Sequence, residues 1–243
     1  MRYAATLWFW AVFGLTAVPG FLLGVALWLL TLPFDPERRV LHAYVCHWCF
    51  QYLRAWPGWS ARVEGRELLP EGPCVLVANH QSMADILAAM GLFHPFKFVS
   101  KASLFRIPLL GWMMGLLRYV RVERGRPQSM REMLDVCRGW LRRGMPVLLF
   151  PEGTYGEAGR LLPFRRGAFR LALEAGVPVV PVVIRGTTEL VEGDGPWMNP
   201  HARVRVQVLP LVRPEDFGSD EGVLAERVRG LILQALGSHD SSG

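Results

Sequence analysis

His80 and Asp85, five positions apart, are the residues whose types and spacing point most directly to chemistry. His80 follows an apolar run, residues 75–78, of the kind found in short buried strands. A carboxylate bonded to one imidazole nitrogen fixes the tautomer and stabilises the imidazolium, so the other nitrogen can take a proton. Because a hydroxyl is a poor nucleophile without such a base, the pair predicts general-base activation of an alcohol.

The same stretch has a purely structural interpretation. Ser82 and Asp85 match the pattern of a capping box, in which the acidic residue supports the start of a helix. His80 would then be an ordinary loop residue. The two interpretations are compatible, because the helix start is what would carry Asp85 back toward His80.

A second stretch, FPEGT at residues 150–154, follows another buried-type strand. If the strands at 75–78 and 147–150 are parallel, Glu152 and His80 project from the same edge of the sheet, where α/β sheets place their ligands. Glycines here allow close approach of the backbone to a ligand, and arginine forks match phosphate oxygens. The residues concerned are Gly153, Gly156, Gly159, Arg160, Arg165, Arg166 and Arg170. The alternative is a solvated loop that carries basic residues.

The elements that must position these residues begin near residue 60, where strands and helices alternate. This alternation predicts an α/β domain with a largely parallel or mixed sheet flanked by helices. Strands are predicted near 61–64, 74–78, 96–100, 119–122, 147–150, 179–184 and 203–208. Helices are predicted near 83–92, 104–117, 129–143, 167–175 and 220–236.

The N-terminal segment predicts a membrane anchor. Residues 3–34 contain no charged residue, His, Asn or Gln, and the chain is 51% hydrophobic with nine Trp. Pro19 and Gly20 divide this run into halves of about 21–24 Å as helices, short of the ~30 Å hydrocarbon core. One kinked span or a hairpin within one leaflet would fit, and a buried helix pair of a soluble protein is the alternative.

A second, aromatic-rich helix over residues 40–56 is predicted either to lie at the membrane interface or to pack on the domain. Arg38, Arg39, Arg54 and the formal net charge of +6 favour the cytoplasmic face of the cell inner membrane. The predicted division is membrane-anchoring helices at 1–58, an α/β domain at 59–237 and a disordered tail at 238–243.

Several functional classes are disfavoured. No zinc-finger spacing, RNP-type motif or basic heptad region indicates nucleic-acid binding. Cys46 and Cys49 lie near His42 and His47, but no second CxxC or HxxxH completes a set, so no metal site is expected. The sequence leaves the oligomeric state open.

The two stretches together resemble the glycerolipid acyltransferase family, which includes the 1-acylglycerol-3-phosphate acyltransferases. NHxxxxD is present from Asn79 to Asp85, and FPEGT from Phe150 to Thr154. A third motif ends in Glu123 and Arg124, and a Pro-rich strand at 177–184 matches the fourth. The resemblance covers residues 63–210 in motif order.

The resemblance implies a glycerol-3-phosphate acyltransferase-like fold and transfer of an acyl chain from acyl-CoA or acyl carrier protein to a lysophospholipid hydroxyl, without an acyl-enzyme or other cofactor. The favoured acceptor is 1-acylglycerol-3-phosphate, which would give phosphatidate. His80 is the expected base, oriented by Asp85. The expected substrate-binding residues are Glu152, Gly153, Thr154, Arg124, Lys101 and Arg160. Backbone N–H groups near Lys101 are candidates for stabilising the oxyanion.

One departure from the family pattern concerns the acceptor. Many members have an arginine after FPEGT, whereas this chain has Tyr155. Arg160, Arg165 or Arg166 can substitute for it, or the acceptor is another lysophospholipid or lyso-ornithine lipid. A catalytically silent membrane-binding protein is a third hypothesis. The apolar segment 104–117 is expected either to line an acyl tunnel or to be plain core.

Overall fold

The computed structural model describes residues 1–156, 160–191, 195–218 and 220–237. In this part of the chain, seven strands form one sheet in the order β1-β7-β6-β2-β5-β3-β4. The strands are β1 Trp59–Glu64, β2 Val75–Ala78, β3 Lys97–Lys101, β4 Val120–Val122, β5 Val147–Leu149, β6 Val179–Arg185 and β7 Ala202–Val208. The predicted tail, 238–243, lies outside the described residues.

The sheet is largely parallel, as predicted. β2 pairs in parallel with β5 and β6, and the β6–β7 pair is antiparallel. The central strands β2 and β5 are buried at every position, which explains why they are unbroken apolar runs. β7 instead alternates buried and exposed residues, as expected for a strand with one face toward solvent.

Helices cover both faces of the sheet. They are α1 Arg2–Thr31, α2 Arg39–Gln51, α3 Ala84–Met90, α4 Leu110–Leu116, α5 Pro127–Arg142, α6 Gly167–Ala175, α7 Thr187–Leu190 and α8 Glu221–Gly237. Short 3₁₀ helices lie at Tyr52–Arg54, Arg66–Leu68, Ala102–Arg106 and Pro214–Phe217. Residues of α1 to α4 share one hydrophobic cluster with the sheet, and residues of α5, α6 and α8 form the cluster on its other face.

The N-terminal segment is one continuous helix, so the hairpin and the buried helix pair are both wrong for it. Pro19 lies inside α1. Gly20 marks a close packing contact rather than a turn, because a Cβ there would lie 2.4 Å from the ring of Trp48. Tyr44 of α2 also donates a hydrogen bond to the Gly20 carbonyl at 2.7 Å. Gly20 is therefore the point where α2 packs directly against α1.

α1 is long and apolar enough to cross a membrane, yet it packs along the domain. Trp10 donates to the Pro196 carbonyl at 2.9 Å, and the backbone N–H of Met198 donates to Thr6 Oγ1 at 2.9 Å. Farther along the helix, Thr16 hydrogen-bonds Tyr52 at 2.7 Å. Only 11% of its most apolar 18-residue window is buried, so most of its surface faces away from the domain.

α2 begins at Arg39 because the Asp35 carboxylate accepts hydrogen bonds from the backbone N–H groups of Arg39 and Val40, at 2.8 and 2.9 Å. Its Leu41, Val45 and Phe50 are buried in the cluster shared with the sheet. Of the two predicted roles, packing on the domain is the one observed.

The predicted helix 104–117 is wrong as a single element. The 3₁₀ helix Ala102–Arg106 ends before Pro108, and α4 begins after Leu109, which has φ of 61°. Proline disfavours helical conformation in the residue before it, and a left-handed residue ends helical continuity. The apolar stripe is divided as a result: Met113, Met114 and Leu117 are buried, whereas Leu110 and Trp112 are exposed.

Candidate active site

The carboxyl end of β2 holds the His80 and Asp85 pair. The Asn79 amide donates to the Ile184 carbonyl and accepts from the Ile184 N–H, both at 2.8 Å, which fixes the end of β2 against β6. The next residue, His80, places Nδ1 at 2.8 Å from Asp85 Oδ2. Both side chains are buried, with His80 5% and Asp85 0% exposed. The predicted contact between the imidazole and the carboxylate is therefore present.

Asp85 also organises the loop that precedes α3. Its Oδ2 accepts from the backbone N–H groups of Gln81 and Ser82, at 2.6 and 2.8 Å, and its Oδ1 accepts from the Thr187 hydroxyl. The bond from Ser82 N–H is one half of a capping box. Ser82 Oγ accepts from Ala84 N–H at 3.2 Å instead of completing the other half. Asp85 thus serves the helix start and the histidine together.

Two aromatic rings pack against the His80 imidazole. Phe150 stacks on it with ring centroids 4.1 Å apart and an interplanar angle of 10°. Tyr155 meets it edge-on at 5.2 Å and 88°. Because Nδ1 donates to the carboxylate, Nε2 carries the lone pair. Nε2 has no hydrogen-bond partner among the described residues, so no protein group of that part of the chain occupies its lone pair.

Glu152 joins the two strand-end loops. Its Oε1 accepts from the backbone N–H of His80 at 2.7 Å, and its Oε2 accepts from that of Leu162 at 2.8 Å. Burial raises the pKa of Glu152, while the two backbone donors oppose that rise. Because β2 and β5 are parallel, His80 and Glu152 do lie at the same sheet edge, as predicted. Both carboxylate oxygens accept from the protein backbone, so Glu152 holds the His80 loop against the loop that follows β5.

Arg124 and Arg165 line a cleft of about 80 Å³ whose other lining residues are apolar side chains and glycines. Phe150, Gly153 and the apolar side chain of Met133 also line it. Gly153 has φ of 74°, and a Cβ there would lie 2.7 Å from Arg165 Nε, so the guanidinium rests directly on the glycine backbone. Partial burial lowers the pKa of Arg124; nearby Tyr155 opposes this effect and nearby Arg165 adds to it.

The other predicted substrate residues are exposed at the strand-end surface. Lys101 lies at the carboxyl end of β3, and Thr154 and Arg160 lie in the loops after β5. Within the described part of the chain, none of these three side chains makes a hydrogen bond or ion pair. The structure therefore brings Arg124 and Gly153 together at a cleft, and Lys101, Thr154 and Arg160 are not among the residues that line it. Gly159 lies outside the described residues.

Two contributions were missed from the sequence: Thr187, which holds Asp85 Oδ1, and the Phe150 ring, which stacks on His80. Thr187 begins α7, immediately after Gly186 and β6. Since β6 is also a buried strand parallel to β2, a polar residue just past its end is a signal that points to the same edge.

Comparison with known proteins agrees with this geometry. The family model described as Acyltransferase matches residues 60–185, from β1 to the end of β6. A chloroplastic 1-acyl-sn-glycerol-3-phosphate acyltransferase of Brassica napus is 33% identical over 230 residues, 94% of this chain and 65% of that protein. The enzyme of the same name from Pseudomonas aeruginosa is 35% identical over 155 residues, 62% of this chain and 59% of the relative.

Two other matches cover a larger share of the relative's own length. The 1-acyl-sn-glycerol-3-phosphate acyltransferase of Salmonella typhimurium is 33% identical over 174 residues, 70% of this chain and 69% of the relative. The crystal structure of the 1-acyl-sn-glycerophosphate acyltransferase PlsC from Thermotoga maritima superposes with a TM-score of 0.78 at 26% identity, covering 100% of this chain and 97% of that one. The chain spans about half to two thirds of the length of several curated relatives. With His80 and Asp85 inside the matched region, the chain belongs to the acyltransferase family.

Proposed function

We propose that this protein transfers an acyl chain from a thioester donor, acyl-CoA or acyl carrier protein, to the free hydroxyl of 1-acyl-sn-glycerol-3-phosphate and so produces phosphatidate. The observation that carries the proposal is the buried pair of His80 and Asp85, with Nε2 unpartnered among the described residues. The names of the relatives from Brassica napus, Pseudomonas aeruginosa and Salmonella typhimurium support the choice of acceptor.

In the proposed reaction, His80 Nε2 takes the proton of the acceptor hydroxyl as its oxygen attacks the thioester carbonyl carbon. Asp85 stabilises the resulting imidazolium. Collapse of the tetrahedral intermediate breaks the carbon–sulfur bond, and the imidazolium returns its proton to the departing thiolate. The products are the new ester and the free thiol, with no acyl-enzyme. Backbone N–H groups near Lys101 remain the proposed donors to the oxyanion, each worth roughly 3 kcal/mol.

The test is an acyl-transfer panel with the full chain in detergent or lipid. Acyl-CoA and acyl carrier protein are the donors, and lysophosphatidate, zwitterionic lysophospholipids and lyso-ornithine lipid are the acceptors. We expect transfer to lysophosphatidate, and its loss in His80→Ala with the melting temperature retained. Transfer only to the other acceptors would favour the second candidate, which Tyr155 motivates. If no acceptor is acylated, the hypothesis of a catalytically silent membrane-binding protein remains. Near-normal turnover by a folded His80→Ala variant would refute the assignment of His80 as the base.

We further propose that the protein sits on the cytoplasmic face of the cell inner membrane through the outward face of α1. Leu15, Leu22 and Leu30 on this face are 78%, 60% and 72% exposed. Because contacts with the domain run from Thr6 to Gly24, the helix is expected to lie along the membrane rather than cross it. Of the arginines that favoured the cytoplasmic side, Arg38 is buried and donates to the Asp35 carbonyl at 2.7 Å, so it contributes little to that argument.

Deleting α1 would remove the core residue Phe9 and uncover Tyr52 and Trp59, which pack against it, so substitution on the outward face of α1 is the cleaner test. Leu22→Asn with Leu23→Asn places amides at two exposed positions of α1, and Val223→Asn, at an exposed position of α8, is the control. We expect the double variant to lose flotation with anionic lipid vesicles and the control to keep it. Equal flotation of all three proteins would show that another surface is the anchor.

A further inference from the structure

We propose that Arg229, in the middle of α8, is a positioning residue for the proposed reaction. Its guanidinium holds residues 160–166, called the return segment below, which lead into α6. The return segment holds the Glu152 carboxylate, and Glu152 holds the backbone of His80. This inference rests on the proposed function and gives the C-terminal helix a part in it.

The Arg229 guanidinium binds two consecutive carbonyls of the return segment. Nε donates to the Leu162 carbonyl at 3.4 Å, and Nη2 donates to the Leu161 carbonyl at 3.3 Å. No other residue in the described part of the chain donates a hydrogen bond to either carbonyl. Without Arg229, both carbonyls would therefore depend on water. Arginine suits this contact because its planar fork presents several N–H groups in fixed directions.

Apolar packing attaches the return segment to the same side of the domain as α8. Leu161 and Phe164 are buried in a hydrophobic cluster that α8 shares. The fully buried members of this cluster from α8 are Leu224, Val228 and Ile232. The start of α8 is itself fixed, because the Asp220 carboxylate accepts from the backbone N–H groups of Gly222 and Val223, at 2.8 and 3.1 Å. Arg229 therefore extends from a well-anchored helix.

One peptide unit of the return segment connects Arg229 to Glu152. The carbonyl of Leu161 and the N–H of Leu162 belong to the same planar peptide group. The carbonyl accepts from Arg229, and the N–H donates to Glu152 Oε2 at 2.8 Å. Because this group is rigid, the guanidinium that fixes its oxygen also fixes the direction of its N–H. A cation at the carbonyl also strengthens the N–H as a donor, since hydrogen bonds in a chain polarise one another.

Glu152 extends this chain of contacts to the backbone of His80. Its Oε1 accepts from the His80 N–H at 2.7 Å, and the His80 carbonyl accepts from the Gly156 N–H at 3.2 Å. A general base must lie within hydrogen-bond reach of the proton that it takes, and a displacement of about 1 Å can lower a rate about 100-fold. Loss of the Arg229 contacts should therefore lower kcat, because the His80 backbone is then held less firmly.

The test compares Arg229→Met with Arg227→Met, a matched substitution on the same helix. Arg227 is exposed and makes no hydrogen bond or ion pair with the described residues. For Arg229→Met we expect kcat to fall about 5- to 10-fold, as for one weakened hydrogen bond, with a smaller change in KM. Arg229→Lys keeps the charge and can donate to one carbonyl, so its kcat should lie between those of the wild type and Arg229→Met. Arg227→Met should stay within about twofold of the wild type.

Two further measurements separate positioning through Glu152 from a general loss of stability. In a Glu152→Gln background, Arg229→Met should lower kcat further by less than about twofold, because the link between the return segment and His80 is already broken. The backbone N–H of His80 should exchange with solvent deuterium faster in Arg229→Met and at an unchanged rate in Arg227→Met. Melting temperatures are measured for every variant, and Arg229→Lys carries the same comparisons if Arg229→Met does not fold.

Three results would overturn the proposal. The first is a folded Arg229→Met protein with kcat within about twofold of the wild type. The second is a full further loss of kcat in the Glu152→Gln background, which would show that Arg229 acts by another route. The third is unchanged exchange of the His80 N–H. The exchange result does not depend on turnover, so it separates failure of this inference from failure of the proposed function.

Discussion

Replacing Asp85 by asparagine tests whether its negative charge, rather than only its shape, supports His80. Asp85 Oδ2 accepts from His80 Nδ1 and from two backbone N–H groups, and Oδ1 accepts from the Thr187 hydroxyl. An asparagine oxygen can keep the Oδ2 contacts, and its NH₂ can donate to Thr187, whose oxygen can also accept. The fold should therefore lose only about 1–3 kcal/mol.

The kinetic loss should be larger than the structural one. Asparagine removes the charge opposite the imidazolium that forms during transfer, in a place that is 0% exposed. If that charge is worth about 3–5 kcal/mol to the transition state, kcat falls about 10²- to 10⁴-fold, since about 1.4 kcal/mol corresponds to a factor of ten. KM for lysophosphatidate should change little, because Asp85 does not line the cleft that contains Arg124.

The assay is steady-state transfer to lysophosphatidate, with the melting temperature measured in parallel. Thr187→Val is the control, because it removes one hydrogen bond to Asp85 and keeps the charge. We expect it to lower kcat about 5- to 10-fold, as for a bond worth about 1 kcal/mol. A folded Asp85→Asn protein with kcat within about fivefold of the wild type would refute the reasoning. If Thr187→Val lost as much activity as Asp85→Asn, orientation and not charge would be the main contribution.

Three other substitutions have definite expected outcomes. Glu152→Gln turns an amide N–H toward the backbone N–H of His80 or of Leu162, so one hydrogen bond is lost. The free energy of unfolding should fall by about 1–3 kcal/mol, and an unchanged melting temperature would contradict this. Gly153→Ala should raise KM for lysophosphatidate more than it lowers kcat, because its Cβ displaces the Arg165 guanidinium; an unchanged KM would argue against that contact. Burial lowers the pKa of Lys97 from 10.5 to about 7. Between these pH values the unfolded chain binds more protons than the folded one, so the free energy of unfolding should rise with pH, by at most about 1.4 kcal/mol per pH unit. Lys97→Met should remove that rise in denaturation measured at pH 7 and 9, and an identical rise in the variant would exclude Lys97 as its source.

The central strands of the domain, and the sheet edge that carries the site, were predictable because a strand buried on both faces is an unbroken run of apolar residues. β2 and β5 are short apolar runs, and the polar residues His80 and Glu152 follow two and three positions after their ends. The change from apolar to polar residues therefore indicates both the strand and the point where it ends. The contact of His80 with Asp85 was predictable for a similar reason, since it spans only five residues.

Other features depend on distant partners that no local pattern contains. Gly20 was taken as part of a helix break, but it is the packing partner of Trp48, which is 28 positions away in the sequence. Leu109 interrupts a predicted helix with a left-handed backbone that leucine rarely adopts, so its residue type gives no warning. Thr187 reaches Asp85 across 102 positions, and only the pairing of β6 with β2 makes them neighbours.

The packing of α1 would give a lipid bilayer bound at its outward face a thermodynamic role in folding. Ala5 and Phe9 of this helix belong to the same hydrophobic cluster as the sheet, while its leucines face outward. A bilayer that binds the outward face therefore acts as a ligand of the native state and raises its stability by mass action. Stability measured in micelles should then depend on the amphiphile chosen, and removal of lipid should loosen α1 first and the core beneath it next.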